Sequence, residues 1–121
     1  MQRIFYVLFI TVFISCNCTQ KGTKQQSTDS EIPTCVQKLI DQFRQEEKTN
    51  PPRQIYKYSY NGAVVYYVPA PCCDFYSDLY NSECALLGHP DGGFTGKGDG
   101  KFRDFEKLKT GEKLIWKDDR H

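Results

Sequence analysis

Ile55-Tyr56-Lys57-Tyr58-Ser59-Tyr60-Asn61-Gly62-Ala63-Val64-Val65-Tyr66-Tyr67-Val68 is the stretch on which the fold turns. Two β-rich runs flank Asn61-Gly62, and Asn and Gly tolerate the positive φ that a two-residue hairpin turn needs. Such a turn pairs Tyr60 with Ala63, Tyr58 with Val65 and Tyr56 with Tyr67 on one face. The opposite face then carries Ile55, Lys57 and Ser59 against Val68, Tyr66 and Val64. One face is a tyrosine sheet, and Tyr56, Tyr58 and Tyr67 form a candidate binding face. Cross-strand packing is the favoured reading of these rings. A recognition surface is the alternative, because Tyr suits a half-wet interface.

Upstream, Val36, Leu39, Ile40 and Phe43 recur at i, i+3, i+4 and i+7, the stripe of an amphipathic helix. Thr34 offers a cap, Gln37 completes a capping-box spacing, and Pro51-Pro52 forbids continuation, so a helix is predicted over about residues 34–47. Its apolar stripe needs a partner, and the hairpin supplies one. Downstream, residues 72–80 read as a turn or short helical piece and 84–87 as a strand. Residues 104–109 read as one helical turn and 113–116 as a last strand. The fold class is α+β: one N-terminal amphipathic helix packed on a small three- or four-stranded antiparallel sheet, stapled by disulfides.

The N-terminal part of the 121-residue chain does not belong to that unit. Arg3 gives a positive start, and residues 4–14 are apolar except for Thr11. That run makes a helix of roughly 16 Å, about half the hydrocarbon thickness of a bilayer, so it reads as an export signal and not as a span. It ends in Phe13-Ile14-Ser15-Cys16. This ending resembles the bacterial lipoprotein signal, in which a small residue precedes a cysteine that is acylated and becomes the new N-terminus. The resemblance implies a signal over residues 1–15 and lipidation by palmitate-type chains at Cys16. Without lipid, the segment is an ordinary signal peptide cut near residues 15–19. Residues 17–31 are rich in Gln, Thr, Ser and Lys and bury too little to offset their conformational entropy, so 16–33 reads as a flexible tether with a reach of roughly 20 Å. Residues 34–121 remain as a single small domain. That length excludes a two-domain enzyme, a Rossmann unit or a (β/α)₈ barrel. Removing Arg3 with the signal leaves 15 Lys and Arg against 15 Asp and Glu, a balance that supports no nucleic-acid partner.

Export places the remaining cysteines in an oxidising compartment, where a thin core is expected to be stapled. Cys35, Cys72, Cys73 and Cys84 lie in the folded part, with Cys18 left over in the tether. Adjacent cysteines rarely bond to each other, so Cys35 is expected to pair with Cys72 or Cys73, and Cys84 with the other. A zinc site would need ligand pairs two to four residues apart, and a thioredoxin-like site would need Cys-x-x-Cys. Neither spacing is present.

Residues 88–100 hold six glycines in thirteen positions. A phosphate loop fails because Asp91 stands where its first Gly belongs and Gly98 where its hydroxyl belongs. A calcium loop drawing on Asp91, Asp99 and Asp104 lacks the alternating acids and terminal Glu of an EF-hand. The favoured reading is conformational: glycines supply positive φ, and aspartates bond nearby amides. Asp91, Phe94, Thr95, Lys97 and Asp99 make this a candidate binding loop. His89 and Asp91 with a distant Ser sketch a hydrolase, but no Gly-x-Ser-x-Gly elbow accompanies them.

Residues 65–74 (Val-Tyr-Tyr-Val-Pro-Ala-Pro-Cys-Cys-Asp), Leu79-Tyr80, residues 90–100 (Pro-Asp-Gly-Gly-Phe-Thr-Gly-Lys-Gly-Asp-Gly) and residues 114–118 (Leu-Ile-Trp-Lys-Asp) stand together in this chain. Together they resemble a family of small exported bacterial proteins carried as a domain of unknown function. The likeness spans about residues 35–120 and implies no activity. The expectation for the whole is a membrane-anchored cell-envelope lipoprotein on the periplasmic or cell-surface side, acting as a non-catalytic binding or structural module. A protease-inhibitor-like module presenting a disulfide-braced loop is the alternative, and a small hydrolase the weaker one. Its partners would be the lipid bilayer, through acylated Cys16, and a protein or small-molecule ligand. No metal or cofactor is called for, and a monomer is expected.

Overall fold

The computed structural model describes residues 31–120. The expected export signal, Cys16, Cys18 and most of the expected tether lie outside the described residues. The elements are α1 (Thr34–Gln45), β1 (Gln54–Tyr60), β2 (Ala63–Val68), β3 (Asp78–Asn81), β4 (Leu86–Gly88), α2 (Phe105–Leu108) and β5 (Thr110–Lys117). The strands form one sheet in the order β4-β3-β2-β1-β5, and every neighbouring pair is antiparallel. The fold is therefore small α+β, with five strands where three or four were expected.

The hairpin forms in the predicted register: Tyr56 faces Tyr67, Tyr58 faces Val65 and Tyr60 faces Ala63. Asn61 and Gly62 take φ of 50° and 78°, which closes the turn. Because side chains alternate along a strand, this register commits two sets of residues to opposite faces. On the first face, Val36, Leu39, Ile40 and Phe43 of α1 pack on Ile55, Tyr66 and Val68. The rings of Phe43 and Trp116 lie 6.3 Å apart there. On the second, Tyr58, Val65 and Leu79 close around Phe105 of α2, flanked by Tyr56, Tyr60, Tyr67 and Phe102. The sheet is thus covered on both faces, although only one helix was expected.

Two local expectations for α1 are corrected. Pro33 holds the N-cap position with no side-chain cap bond, and the Gln37 amide donates to Asp41 at 3.0 Å instead of completing a capping box. At the other end, Arg120 takes over the helix carbonyls. Its guanidinium donates to the carbonyls of Phe43 (3.1 Å), Arg44 (2.8 Å) and Glu46 (3.1 Å). They lie at and just past the helix end, where i+4 donors run out; the Phe43 carbonyl also accepts the Glu46 N–H at 3.2 Å.

The segment expected to be a turn or short helical piece at residues 72–80 is partly strand. Asp78–Asn81 adds to β2, with Tyr66 opposite Tyr80 and Tyr67 opposite Leu79. Polar Asp78 and Asn81 disguise it in the sequence, but Leu79 is fully buried, and a strand beside β2 is what buries it. The disulfide expectation is also corrected. Cys35 bonds Cys84, with 5.7 Å between their Cα atoms, tying the start of α1 to the chain after β3. Cys72 and Cys73 carry exposed thiols and bridge to neither. Strand β3 separates them from the Cys35 end of the sheet, so the pairing follows from strand order and not from cysteine spacing.

Candidate functional site

The tyrosine sheet is not an open surface. Tyr58 is 5% exposed and its ring meets Phe105 edge-on at 5.9 Å, while Tyr67 lies 5.5 Å from the same ring. Lys109 adds an ammonium 4.7 Å above Tyr58. Hydroxyls at the rim find carboxylates: Tyr58 donates to Glu112 at 2.6 Å and Tyr60 to Asp104 at 2.6 Å. Burial, and next the Glu112 contact, hold the Tyr58 phenol well above its usual range. Tyr56, half-buried, donates to Gln54. These rings are a second core, so the candidate binding face at Tyr56, Tyr58 and Tyr67 is corrected to packing.

Tyr67 leads out of that core to the glycine loop. Its hydroxyl donates to Asp91 Oδ2 at 2.7 Å, and Ser77 Oγ donates to Asp91 Oδ1 at 2.6 Å. Ser77 is 1% exposed, and its Oγ also accepts the Ala70 N–H at 2.9 Å. One carboxylate therefore locks the root of the loop to β2 and to the chain entering β3. Burial is the main reason the Tyr67 phenol is raised, with the Asp91 carboxylate adding to it. Ser77 had no place in the sequence reading. No local pattern marks it, because its partners Ala70, Tyr67 and Asp91 lie 7, 10 and 14 positions away.

Beyond that root, the loop is held by its own backbone. Gly93 N–H donates to the Phe75 carbonyl (2.9 Å), Gly98 to Gly92 (3.1 Å) and Asp99 to His89 (2.9 Å). The Asp99 carboxylate accepts from His89 N–H at 3.1 Å and Lys101 N–H at 2.9 Å. Those bonds, the Lys101 amide foremost, hold its carboxyl below the usual range. Gly98 has φ of 59°, and a Cβ there would run into the His89 carbonyl. So the conformational reading of Asp91 and Asp99 describes this geometry: both bond within the fold.

The tip is the opposite. Phe94 is 91% exposed, and Thr95 and Lys97 are exposed beside it. Between the loop and the start of α2, a cavity of about 450 Å³ is lined by Asp91, Lys97, Arg103 and Glu106. A braced loop thus presents one bare aromatic ring at its tip, while its Asp91 and Lys97 help line a cavity of mixed charge.

His89 and Asp91, set beside a distant Ser in the hydrolase sketch, take separate partners. The His89 Nδ1 lies 2.9 Å from Asp78 Oδ1 and 3.2 Å from the Ser77 carbonyl oxygen. Both are acceptors, so Nδ1 carries the proton. The ring stacks on Tyr76 at 4.9 Å. Ser77 Oγ is buried and donates to Asp91, not to His89. Among the described residues, no group of three or more His, Cys, Asp or Glu side chains is gathered to hold a metal ion. No helix among them is long and apolar enough to cross a membrane.

A second cleft, of about 460 Å³, lies between Asn50 and Arg53 on one side and Cys72, Tyr76 and Asp78 on the other. The sequence reading did not anticipate it, since its walls come from segments some twenty residues apart that only the fold brings together.

Fold and site together define a small, disulfide-stapled α+β domain that carries a braced glycine loop. Residues 41–118 match the family described as Domain of unknown function (DUF6970), and the chain belongs to that family. That span holds all five strands, α2 and the glycine loop. No curated protein and no solved structure matches the chain.

Proposed function

We propose that this chain is a membrane-anchored cell-envelope lipoprotein whose domain is a non-catalytic binding module, with the glycine loop as its recognition element. The exposure of Phe94 carries the reading. Thirteen residues of backbone are pinned by Asp91, Asp99 and paired amides, yet the ring at the tip is left almost wholly in water. Covering such a side chain with a partner is worth roughly 1.5–3 kcal/mol, and a loop already ordered spends little entropy on docking. The partner that fits is a protein with an apolar pocket for the ring and a rim that complements Lys97, Arg103 and Glu106. The ending Phe13-Ile14-Ser15-Cys16 supports the anchor, with residues 16–33 as the tether.

Two measurements test this. A photo-crosslinking phenylalanine analogue placed at Phe94 in growing cells should give a discrete adduct that the same analogue at Lys57 does not give. Equal or absent adducts at both positions would count against the loop. Intact mass of the membrane fraction should report acyl chains on Cys16; an unacylated chain in the soluble fraction would count against the anchor.

The same exposure favours a second reading, a protease-inhibitor-like module in which Phe94 enters a specificity pocket. Its brace would be hydrogen bonds and not disulfides, since the loop carries no cysteine. Titration against proteases that prefer aromatic residues should then show stoichiometric inhibition, lost in Phe94→Ala.

A further inference from the structure

Among the described residues, Cys72 and Cys73 are exposed thiols that neither core nor the glycine loop uses. Their distant partners are taken, because Cys35 and Cys84 bond each other. Successive side chains of an extended segment point to opposite sides, but these two residues sit in a turn and not in a strand. The backbone folds tightly at the pair. Phe75 N–H donates to the Cys72 carbonyl at 3.3 Å, closing a tight turn. Cys73 sits at φ of 60°, in the left-handed region. A residue with a side chain is uncommon there, and such strain points toward function. Cys72 also forms part of the wall of the 460 Å³ cleft, with Arg53 and Asp78.

We propose that Cys72 and Cys73 are a vicinal dithiol site that closes into a disulfide between adjacent residues, a two-electron switch on the wall of that cleft. The oxidant is an organic disulfide of the glutathione type. One cysteine thiolate attacks a sulfur of that disulfide, forming a mixed disulfide and expelling one organic thiolate. The neighbouring cysteine thiolate then attacks the cysteine sulfur of the mixed disulfide and expels the second. Two protein thiols are oxidised, one organic disulfide is reduced to two thiols, and the two protons end on the departing thiolates. The neighbouring Cys72, through its side chain and then its charge, followed by burial and Asp74, holds the Cys73 thiol above its usual range. Closure needs a thiolate and therefore quickens as pH rises.

The test uses the full chain, equilibrated with oxidised glutathione, blocked with a maleimide and digested with trypsin without reduction. No Lys or Arg interrupts residues 58–97, so that peptide carries Cys72, Cys73 and Cys84, joined to peptide 25–38 through Cys35. The joined peptides should weigh two hydrogens less than the dithiol form and take up no maleimide. Mild reduction before blocking should restore two maleimides on peptide 58–97. Cys72→Ser should instead retain a single glutathione on Cys73, the trapped mixed disulfide. Two maleimides, or two glutathiones, on peptide 58–97 of the oxidised wild-type chain would overturn the proposal.

Discussion

Asp118 shows how one side chain can close a fold. It is 5% exposed and grips Arg120 through both oxygens, Nε to Oδ1 at 2.9 Å and one terminal nitrogen to Oδ2 at 2.6 Å. Arg120 in turn holds the last carbonyls of α1. The Arg120 hydrogen bond is the main reason the Asp118 carboxyl falls to about 2. A carboxylate with a depressed folded value stabilises above its unfolded value, near 4, and loses that contribution as pH falls toward the folded one. Thermal melts should therefore fall between about pH 4 and pH 2, and Asp118→Asn should flatten that acid limb while lowering the melting temperature at neutral pH. The buried phenols act in the other direction. Tyr58 and Tyr67 are raised, chiefly by burial, so their neutral forms stabilise below the usual phenol value and that support is lost at higher pH. Tyrosinate absorbance should rise together with loss of circular dichroism above about pH 10. Independent ionisation of all tyrosines in a folded protein would contradict the assignment of these rings to a core.

At the scale of elements, α2 is four residues long and exists to deliver Phe105. No helix of that length is stable alone; Phe105, 1% exposed, holds it against Tyr58, Tyr60 and Tyr67. Phe105→Ala should cost about 3–5 kcal/mol in denaturant melts, and a loss under about 1 kcal/mol would show that the second face is not packed as described. The glycine loop depends on close backbone approach in the same way that α2 depends on one ring. Gly98→Ala, which sets a Cβ against the His89 carbonyl, should raise amide exchange through residues 88–100 while leaving that of β1 and β2 unchanged.

For the whole molecule, the Cys35–Cys84 bond spans 49 positions and ties α1 to the far side of the meander. In the chain-entropy model a bridge over that separation contributes roughly 4 kcal/mol. Cys35→Ser should lower stability by an amount of that order, and reducing the wild-type chain should reproduce most of the loss. A variant as stable as the oxidised chain would mean that the two cores hold without the staple.

The hairpin at Asn61-Gly62 and the stripe Val36, Leu39, Ile40 and Phe43 were determined by the sequence alone, because period and turn chemistry are properties of neighbouring residues. So was the glycine loop as a conformational device, since Asp91 and Asp99 sit among residues that need positive φ. Only the tertiary structure decided what those pieces meet. The tyrosine sheet became a core because α2 arrives from far downstream in the chain to cover it. Leu79 drew Asp78–Asn81 into the sheet against its polar composition, and strand order gave Cys84 to Cys35 while leaving Cys72 and Cys73 beside each other. Burial, disulfide partners and clefts are set by contacts between distant segments, and no local pattern in a chain specifies which distant segment will come to lie against it.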